Sequence, residues 1–278
     1  MSELDYLRAV VLGVVQGLTE FLPVSSSGHL AIVQRYFALD ANSSAMLLFD
    51  VLAHFGTLVA VLIVFAASVK RFMVRIIRET RTSWRGRRYA WRIVLLAVVA
   101  MIPTTVMGLT LQDTFESAFD KPLWIGTALV VTGILLALTT LLNRPSRGWG
   151  RFSFLQAFVV GIAQGCAILP GISRSGATIC VASFCGLRRR WAAEFSFLIA
   201  VPAIVGATLI KMKDTFELPV EELSAVAWGP VIVGSIVSLI VGAVALLILL
   251  DMVRRSKLHY FAIYCWVIGA LLLAGVVG

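Results

Sequence analysis

The chain has 278 residues, of which 59% are hydrophobic and only 14% charged, with a mean hydropathy of +0.93. A soluble domain carries about 25% charged residues, so the composition excludes a soluble enzyme and indicates a polytopic membrane protein. The net charge of +9 would suit a nucleic-acid partner, but its distribution points to membrane orientation and to no nucleic acid.

The first element, Leu4 to Phe37, is an apolar stretch interrupted at Pro23-Val-Ser-Ser-Ser-Gly-His. This predicts two half-helices around a polar break, which a membrane tolerates only where protein buries it or where it lines a cavity. Three spans of ~20 residues follow, at Met46 to Ser68, Arg92 to Leu111 and Leu123 to Leu142. A second broken stretch, Phe152 to Leu187, is interrupted at Pro170-Gly-Ile-Ser-Arg-Ser-Gly-Ala-Thr. Three further spans are predicted at Trp191 to Ile210, Trp228 to Leu250 and His259 to Val277. The expected fold is an all-α polytopic membrane protein, a single domain over 1–278, with six transmembrane helices and two re-entrant helical hairpins. Trp91, Trp124, Trp191 and Trp228 fall at span ends, as interfacial anchors do. No basic leader with a small-residue cleavage site is read at the N-terminus. Cys166, Cys180, Cys185 and Cys265 lie in apolar segments without metal-ligand spacing and read as buried hydrophobes.

Threading the chain with both hairpins re-entrant places the loops after Ser68, Leu142, Leu187 and Leu250 on one side. These carry 17 Lys and Arg residues against two acids, Glu79 and Asp251. The opposite side carries five basic residues and ten acids. Lys/Arg bias sets orientation, so the basic loops are expected to be cytoplasmic. Each half, approximately 1–143 and 151–278, then holds one hairpin and three spans. An odd number of spans turns the second half upside down, an inverted-topology repeat.

The two breaks are themselves a sequence repeat. Aligned without a gap at a spacing of 148 residues, Gly13, Gln16, Gly17, Ser25, Ser27 and Gly28 meet identical residues at Gly161, Gln164, Gly165, Ser173, Ser175 and Gly176. Paired broken segments point to a site near the bilayer midplane. Few ionisable groups remain outside the loops: Glu20 and Arg174 in the breaks, Arg92 at a span end, and Asp50, Glu194, His29 and His54. Such groups are functional candidates by default. Asp50 and Glu194, each near the start of a span, also suit a helix N-terminus, and His54, one turn after Asp50, reads as its partner. The serine-rich half-helix openings offer free backbone N–H groups and hydroxyls, and Arg174 adds a planar fork for phosphate oxygens. This describes an anion site, most naturally for phosphate. The simpler reading, that the serines only cap the half-helices, explains one serine per helix but not three in a row beside a membrane arginine.

These residues resemble the undecaprenyl-diphosphate phosphatase family, the bacitracin-resistance membrane phosphatases, over essentially the whole chain. Gln16, Glu20, Pro23, Ser25, Ser26, Ser27, Gly28 and His29 match its first motif, and Pro170, Gly171, Ser173, Arg174, Ser175 and Thr178 its second. Ala193 to Pro202 resembles the segment that follows. Gln16 stands where many members carry a second glutamate, which removes one metal ligand or acid.

The resemblance implies hydrolysis of undecaprenyl diphosphate to the monophosphate and inorganic phosphate, in the inner (plasma) membrane of a bacterium, within the cell-wall lipid cycle. The polyprenyl tail would stay in lipid while the diphosphate enters from the extracytoplasmic side. Glu20, the only carboxylate in either break, is the expected general base and a metal ligand for a divalent cation, Mg²⁺ or Ca²⁺. Ser26 is the expected nucleophile, or only a ligand if Glu20 activates water directly. His29 is expected to protonate or bind phosphate, and Arg174 to neutralise it. Gln16, Ser25, Ser27, Gly28, Ser173, Ser175, Gly176 and Thr178 complete the expected substrate site, and a homodimer is an open option. The alternative is a transporter or flippase of a phosphorylated polyprenyl lipid or small anion, which fits the same site without a base.

Overall fold

Asp5 starts the fold by accepting a hydrogen bond from the backbone N–H of Arg8 at 2.8 Å, which caps helix α1 (Tyr6–Phe21). In the computed structural model the described residues are 4–41, 43–82, 84–119, 121–142, 145, 147–216 and 226–276. After α1 come α2 (Ser26–Tyr36), α3 (Ser44–Thr82), α4 (Trp84–Thr110), α5 (Gln112–Phe119) and α6 (Pro122–Leu138). The second half continues with α7 (Phe154–Cys166), α8 (Arg174–Phe184), α9 (Arg189–Phe216), α10 (Trp228–Arg254) and α11 (Tyr260–Leu273). The described residues form no strand, only one isolated bridge between Arg147 and Leu187.

Among the described residues, five helices are long and apolar enough to cross a membrane: Ser44–Ala67 within α3, Trp91–Thr110 within α4, Pro122–Leu141 through α6 and its 3₁₀ end, Arg189–Ile210 within α9, and all of α10. The sixth expected span is shorter than predicted, since α11 has 14 residues. At 1.5 Å per residue it reaches roughly 21 Å, less than the hydrocarbon thickness. Two other elements depart from expectation. Helix α3 runs on past Ser68 to Thr82 instead of ending in a loop, and α5 forms where the sequence predicted only a connection. Of the loop charges counted above, Glu3, Asp120, Arg144, Glu217, Glu221 and Glu222 lie outside the described residues.

Both broken stretches form two helices each, α1–α2 around Leu22 to Ser25 and α7–α8 around Ala167 to Ser173. Each first half-helix lies against a helix from the opposite half of the chain, α1 against α10 and α7 against α4. Glycine makes both approaches possible. A Cβ on Gly13 would strike the Gly234 carbonyl, and one on Gly161 the Ala100 carbonyl. Thr104 reinforces the second contact by donating to Gly161 O at 3.0 Å. Helix α10 shows how the molecule divides inside from outside. Val231, Gly234, Ser238, Gly242, Ala245 and Leu249 are buried, while Ile232, Ile236, Ile240 and Val244, one turn apart, are exposed. An apolar face of this kind belongs against lipid. The largest core cluster joins Phe152, Phe195, Leu246 and Ile179 to Phe21 and Val24 at the first break.

Candidate active site

The two breaks meet each other, and their serines make the joint. Ser25 caps α2 by accepting from Gly28 N at 3.4 Å, and Ser173 caps α8 by accepting from Gly176 N at 3.1 Å. Ser25 Oγ also accepts from Gly171 N at 3.0 Å, and Ser175 Oγ donates to Phe21 O at 2.8 Å, so each break bonds the other's backbone. The glycines permit this approach: a Cβ on Gly28 would lie 3.2 Å from Gly171 N, and one on Gly176 3.2 Å from Pro23 Cβ. The first break turns on a serine in the left-handed region, Ser25 at φ 71, whereas in the second Gly171 takes the positive φ of 98. Thr132 of α6 fixes the second break, donating to Gly171 O at 2.9 Å and accepting from Ser173 N at 3.1 Å.

This frame brings Glu20, Ser26 and Arg174 together. Glu20 lies in the last turn of α1, its side chain only 4% exposed. Its Oε2 accepts from Ser26 Oγ at 2.6 Å and from Gln16 Nε2 at 3.1 Å. Its Oε1 faces Arg174 Nη1 at 3.6 Å. That nitrogen is buried and makes no hydrogen bond, so the guanidinium keeps an unused donor beside the carboxylate. Gln16 Oε1 is also buried without a hydrogen-bond donor. A hydroxyl directed at a buried carboxylate, with a guanidinium beside it, can serve as a nucleophile, its base and an anion clamp.

His54 joins this cluster, which its sequence position did not suggest. The expected pairing with the Asp50 side chain is replaced by a bond from His54 Nδ1 to the Asp50 backbone carbonyl at 2.7 Å. His54 Nε2 then faces Glu20 Oε2 at 3.8 Å. The available signal was an ionisable residue inside an apolar span. Asp50 accepts instead from Gln34 Nε2 at 3.2 Å, and Glu194 pairs with Arg190 at 2.9 Å.

The remaining predicted residues build the frame. Ser27 is half-buried, 3.4 Å from Ser25 Oγ. Ser25, Ser173 and Ser175 are buried, and their hydroxyls are committed to the caps and the joint. Thr178 is buried inside α8, donating to Arg174 O at 2.7 Å and bonding Ser196 of α9. His29 bonds neither Glu20 nor Ser26: Nδ1 bonds Ser25 O at 2.8 Å and Nε2 bonds the Tyr264 hydroxyl at 2.8 Å. Among the described residues no three His, Cys, Asp or Glu side chains form a metal-ligating group.

Comparison with known proteins agrees in extent with this single frame spanning both halves. The family described as bacitracin resistance protein BacA matches residues 9–271. A protein named undecaprenyl-diphosphatase from Carboxydothermus hydrogenoformans is 40% identical over 270 residues, 97% of each chain. One of the same name from Syntrophotalea carbinolica is 39% identical, covering 98% of this chain and 99% of its own. A third, from Desulfosudis oleivorans, is 42% identical, covering 97% and 98%.

Proposed function

The chain belongs to the bacitracin resistance protein BacA family, and on that premise we propose that it hydrolyses undecaprenyl diphosphate to undecaprenyl phosphate and inorganic phosphate. The observation that carries the reading is the 2.6 Å hydrogen bond from Ser26 Oγ to Glu20 Oε2, in reach of Arg174. Glu20 takes the hydroxyl proton as Ser26 Oγ attacks the terminal phosphorus. The phosphoanhydride P–O bond breaks and undecaprenyl phosphate leaves. The proton held by Glu20 leaves with the undecaprenyl phosphate oxygen; the freed carboxylate then takes a proton from water as it attacks the phosphoserine, the P–Oγ bond breaks, the proton passes to Ser26 Oγ, and inorganic phosphate departs. Arg174 neutralises the charge on the transferring oxygens, the main demand of phosphoryl transfer. The free donors of the α2 opening and the Ser27 hydroxyl complete the cradle. The shared name of the relatives favours this over the transporter alternative.

The donor set also fits a divalent cation shared with the substrate. Mg²⁺ is typically held by one or two protein ligands together with phosphate oxygens and water. Glu20 and the free Gln16 Oε1 are the residues that would hold it. When bound, it supplies further charge neutralisation on the diphosphate.

The membrane arrangement follows from the same frame. The α1–α2 and α7–α8 pairs are re-entrant hairpins of an inverted repeat, and the reciprocal packing of α1 on α10 and α7 on α4 supports this. The Lys/Arg-rich ends face the cytoplasm of the bacterial inner membrane, and the diphosphate enters from the opposite side. The test is phosphate release from undecaprenyl diphosphate by purified protein, with and without Mg²⁺, for wild type and Glu20→Gln. Release that Glu20→Gln abolishes supports the phosphatase. Well-folded wild-type protein that binds the lipid and releases nothing overturns it in favour of a carrier.

A further inference from the structure

Ser25 is a serine in a backbone conformation that L side chains rarely adopt, and it immediately precedes the nucleophile proposed above. Its hydroxyl is held by Gly28 N and Gly171 N. Its carbonyl is held by His29, through the backbone N at 3.3 Å and through Nδ1 at 2.8 Å. The aim of Ser26 at Glu20 therefore depends on what keeps the imidazole in place.

A carbonyl only accepts, so His29 Nδ1 must carry a proton. In the neutral ring Nε2 is then an acceptor. The group facing Nε2 is the Tyr264 hydroxyl, at 2.8 Å, which must donate. The two ring planes are nearly parallel, 13° apart with centroids at 5.6 Å. The next residue of α11, Cys265, reaches Pro23 O at 3.6 Å, so the same helix touches the turn before and after Ser25. The opposite tautomer of His29 would set a lone pair against the Ser25 carbonyl, and the Tyr264 hydroxyl would then face an N–H. With both ring nitrogens engaged, and neither bonded to Glu20, Ser26 or Arg174, His29 is built to hold the turn and not to hand a proton to a leaving group in this arrangement.

We propose that Tyr264 is a positioning residue: its hydroxyl fixes the tautomer of His29, and His29 holds the Ser25 turn that aims Ser26 at Glu20. This rests on the phosphatase reading for its kinetic consequence, while the His29 tautomer can be read without it. The orienting hydrogen bond behind a functional histidine is a general device, and here it comes from the far end of the chain, 235 residues away.

The test combines kinetics and spectroscopy on the full-length protein in detergent. Tyr264→Phe keeps the ring and removes only the hydroxyl. It is expected to lower kcat for undecaprenyl diphosphate by about tenfold while KM stays within about twofold, since positioning acts on the reacting serine and not on lipid binding. His29→Ala is expected to lose at least as much. The double variant is expected to be no slower than His29→Ala alone, because Tyr264 acts only through His29. If His29→Ala does not fold, His29→Gln, whose amide N–H can still donate to Ser25 O, is expected to make kcat insensitive to the further change Tyr264→Phe. In ¹⁵N-histidine spectra the Nε2 resonance of His29 is expected to shift in Tyr264→Phe. Wild-type kcat in Tyr264→Phe, losses that multiply in the double variant, or an unmoved His29 resonance each overturn the proposal. If wild type releases no phosphate, the phosphatase reading fails, and the His29 resonance still decides whether Tyr264 sets the ring.

Discussion

Replacing Arg174 by lysine tests the clamp most directly, because it keeps the charge and removes the fork. Arg174 Nη1 sits 3.6 Å from Glu20 Oε1 and has no hydrogen-bond acceptor of its own, so a bound phosphate would supply one. A guanidinium makes two parallel bonds to phosphate oxygens where an ammonium acts as a point charge. Each charge-assisted bond contributes about 1.5–3 kcal/mol. Losing one of two should lower kcat/KM by roughly 10- to 150-fold, at 1.4 kcal/mol per factor of ten. Arg174→Ala loses both and the counter-charge to Glu20, so roughly 10²–10⁴-fold is expected. The assay is steady-state phosphate release from undecaprenyl diphosphate, with the alanine variant also measured in added guanidinium at a non-denaturing concentration, which should restore part of the rate. Thermal stability of each variant separates chemistry from unfolding. A lysine variant within twofold of wild type would refute the bidentate clamp, and an alanine variant within tenfold would remove Arg174 from the site altogether.

Four further outcomes follow from the same geometry. Ser26→Ala should lower turnover by about 10³-fold or more and yield no acid-stable phosphoserine on quenching; a variant keeping a tenth of the rate would favour direct attack by water. His54→Ala should reduce kcat by at least about tenfold, and His54→Gln, which returns a donor towards Glu20, should recover part of it; equal loss in both would make the residue merely structural. Gly161→Val would drive side-chain atoms into the Ala100 carbonyl and should destabilise the fold by about 1–3 kcal/mol, read as a lower melting temperature. In a cysteine-free background, a cysteine at Lys121 should react with an impermeant thiol reagent in intact cells, and one at Arg255 only after permeabilisation; the reverse would invert the proposed topology.

Hydropathy and punctuation made the helices and the breaks legible, but not where every helix stops. The apolar window ends near Ser68, yet α3 continues to Thr82, because arginine, methionine and isoleucine propagate a helix outside the membrane as well as in it. Conversely, the last apolar segment is helical for only 14 residues, ending before Gly275 at φ 67. Glu20 and Arg174 stood out as charges inside broken spans, and Ser26 as the central serine of the first break and the repeat counterpart of Arg174. His54 did not, since its one-turn spacing from Asp50 suggested a local pair, while the ring bonds the helix backbone and reaches across to α1. Ser25, Ser173 and Ser175 read as phosphate ligands in sequence; in the structure, backbone N–H groups of the two abutting breaks donate to the Ser25 and Ser173 hydroxyls, and Ser175 Oγ donates to Phe21 O.

In the proposed mechanism the repeat accounts for the need for both halves of the chain. The frame is duplicated: Ser25 and Ser173 cap equivalent helices, Ser27 and Ser175 sit beside them, and Gly28 and Gly176 allow the breaks to touch. The copies differ at the base, nucleophile, clamp and turn-holding positions of the proposed site. Glu20 corresponds to Ile168, Ser26 to Arg174 and His29 to Ala177. A break carrying only the first set would hold a base and a nucleophile with no cation to draw in a diphosphate. A break carrying only the second would bind an anion and leave it unreacted. Bringing Arg174 to within 3.6 Å of Glu20 unites the two, and the bonds between the breaks, Gly171 N to Ser25 Oγ and Ser175 Oγ to Phe21 O, set that distance. Any substitution that loosens the joint should therefore reduce turnover even when every reactive side chain is intact.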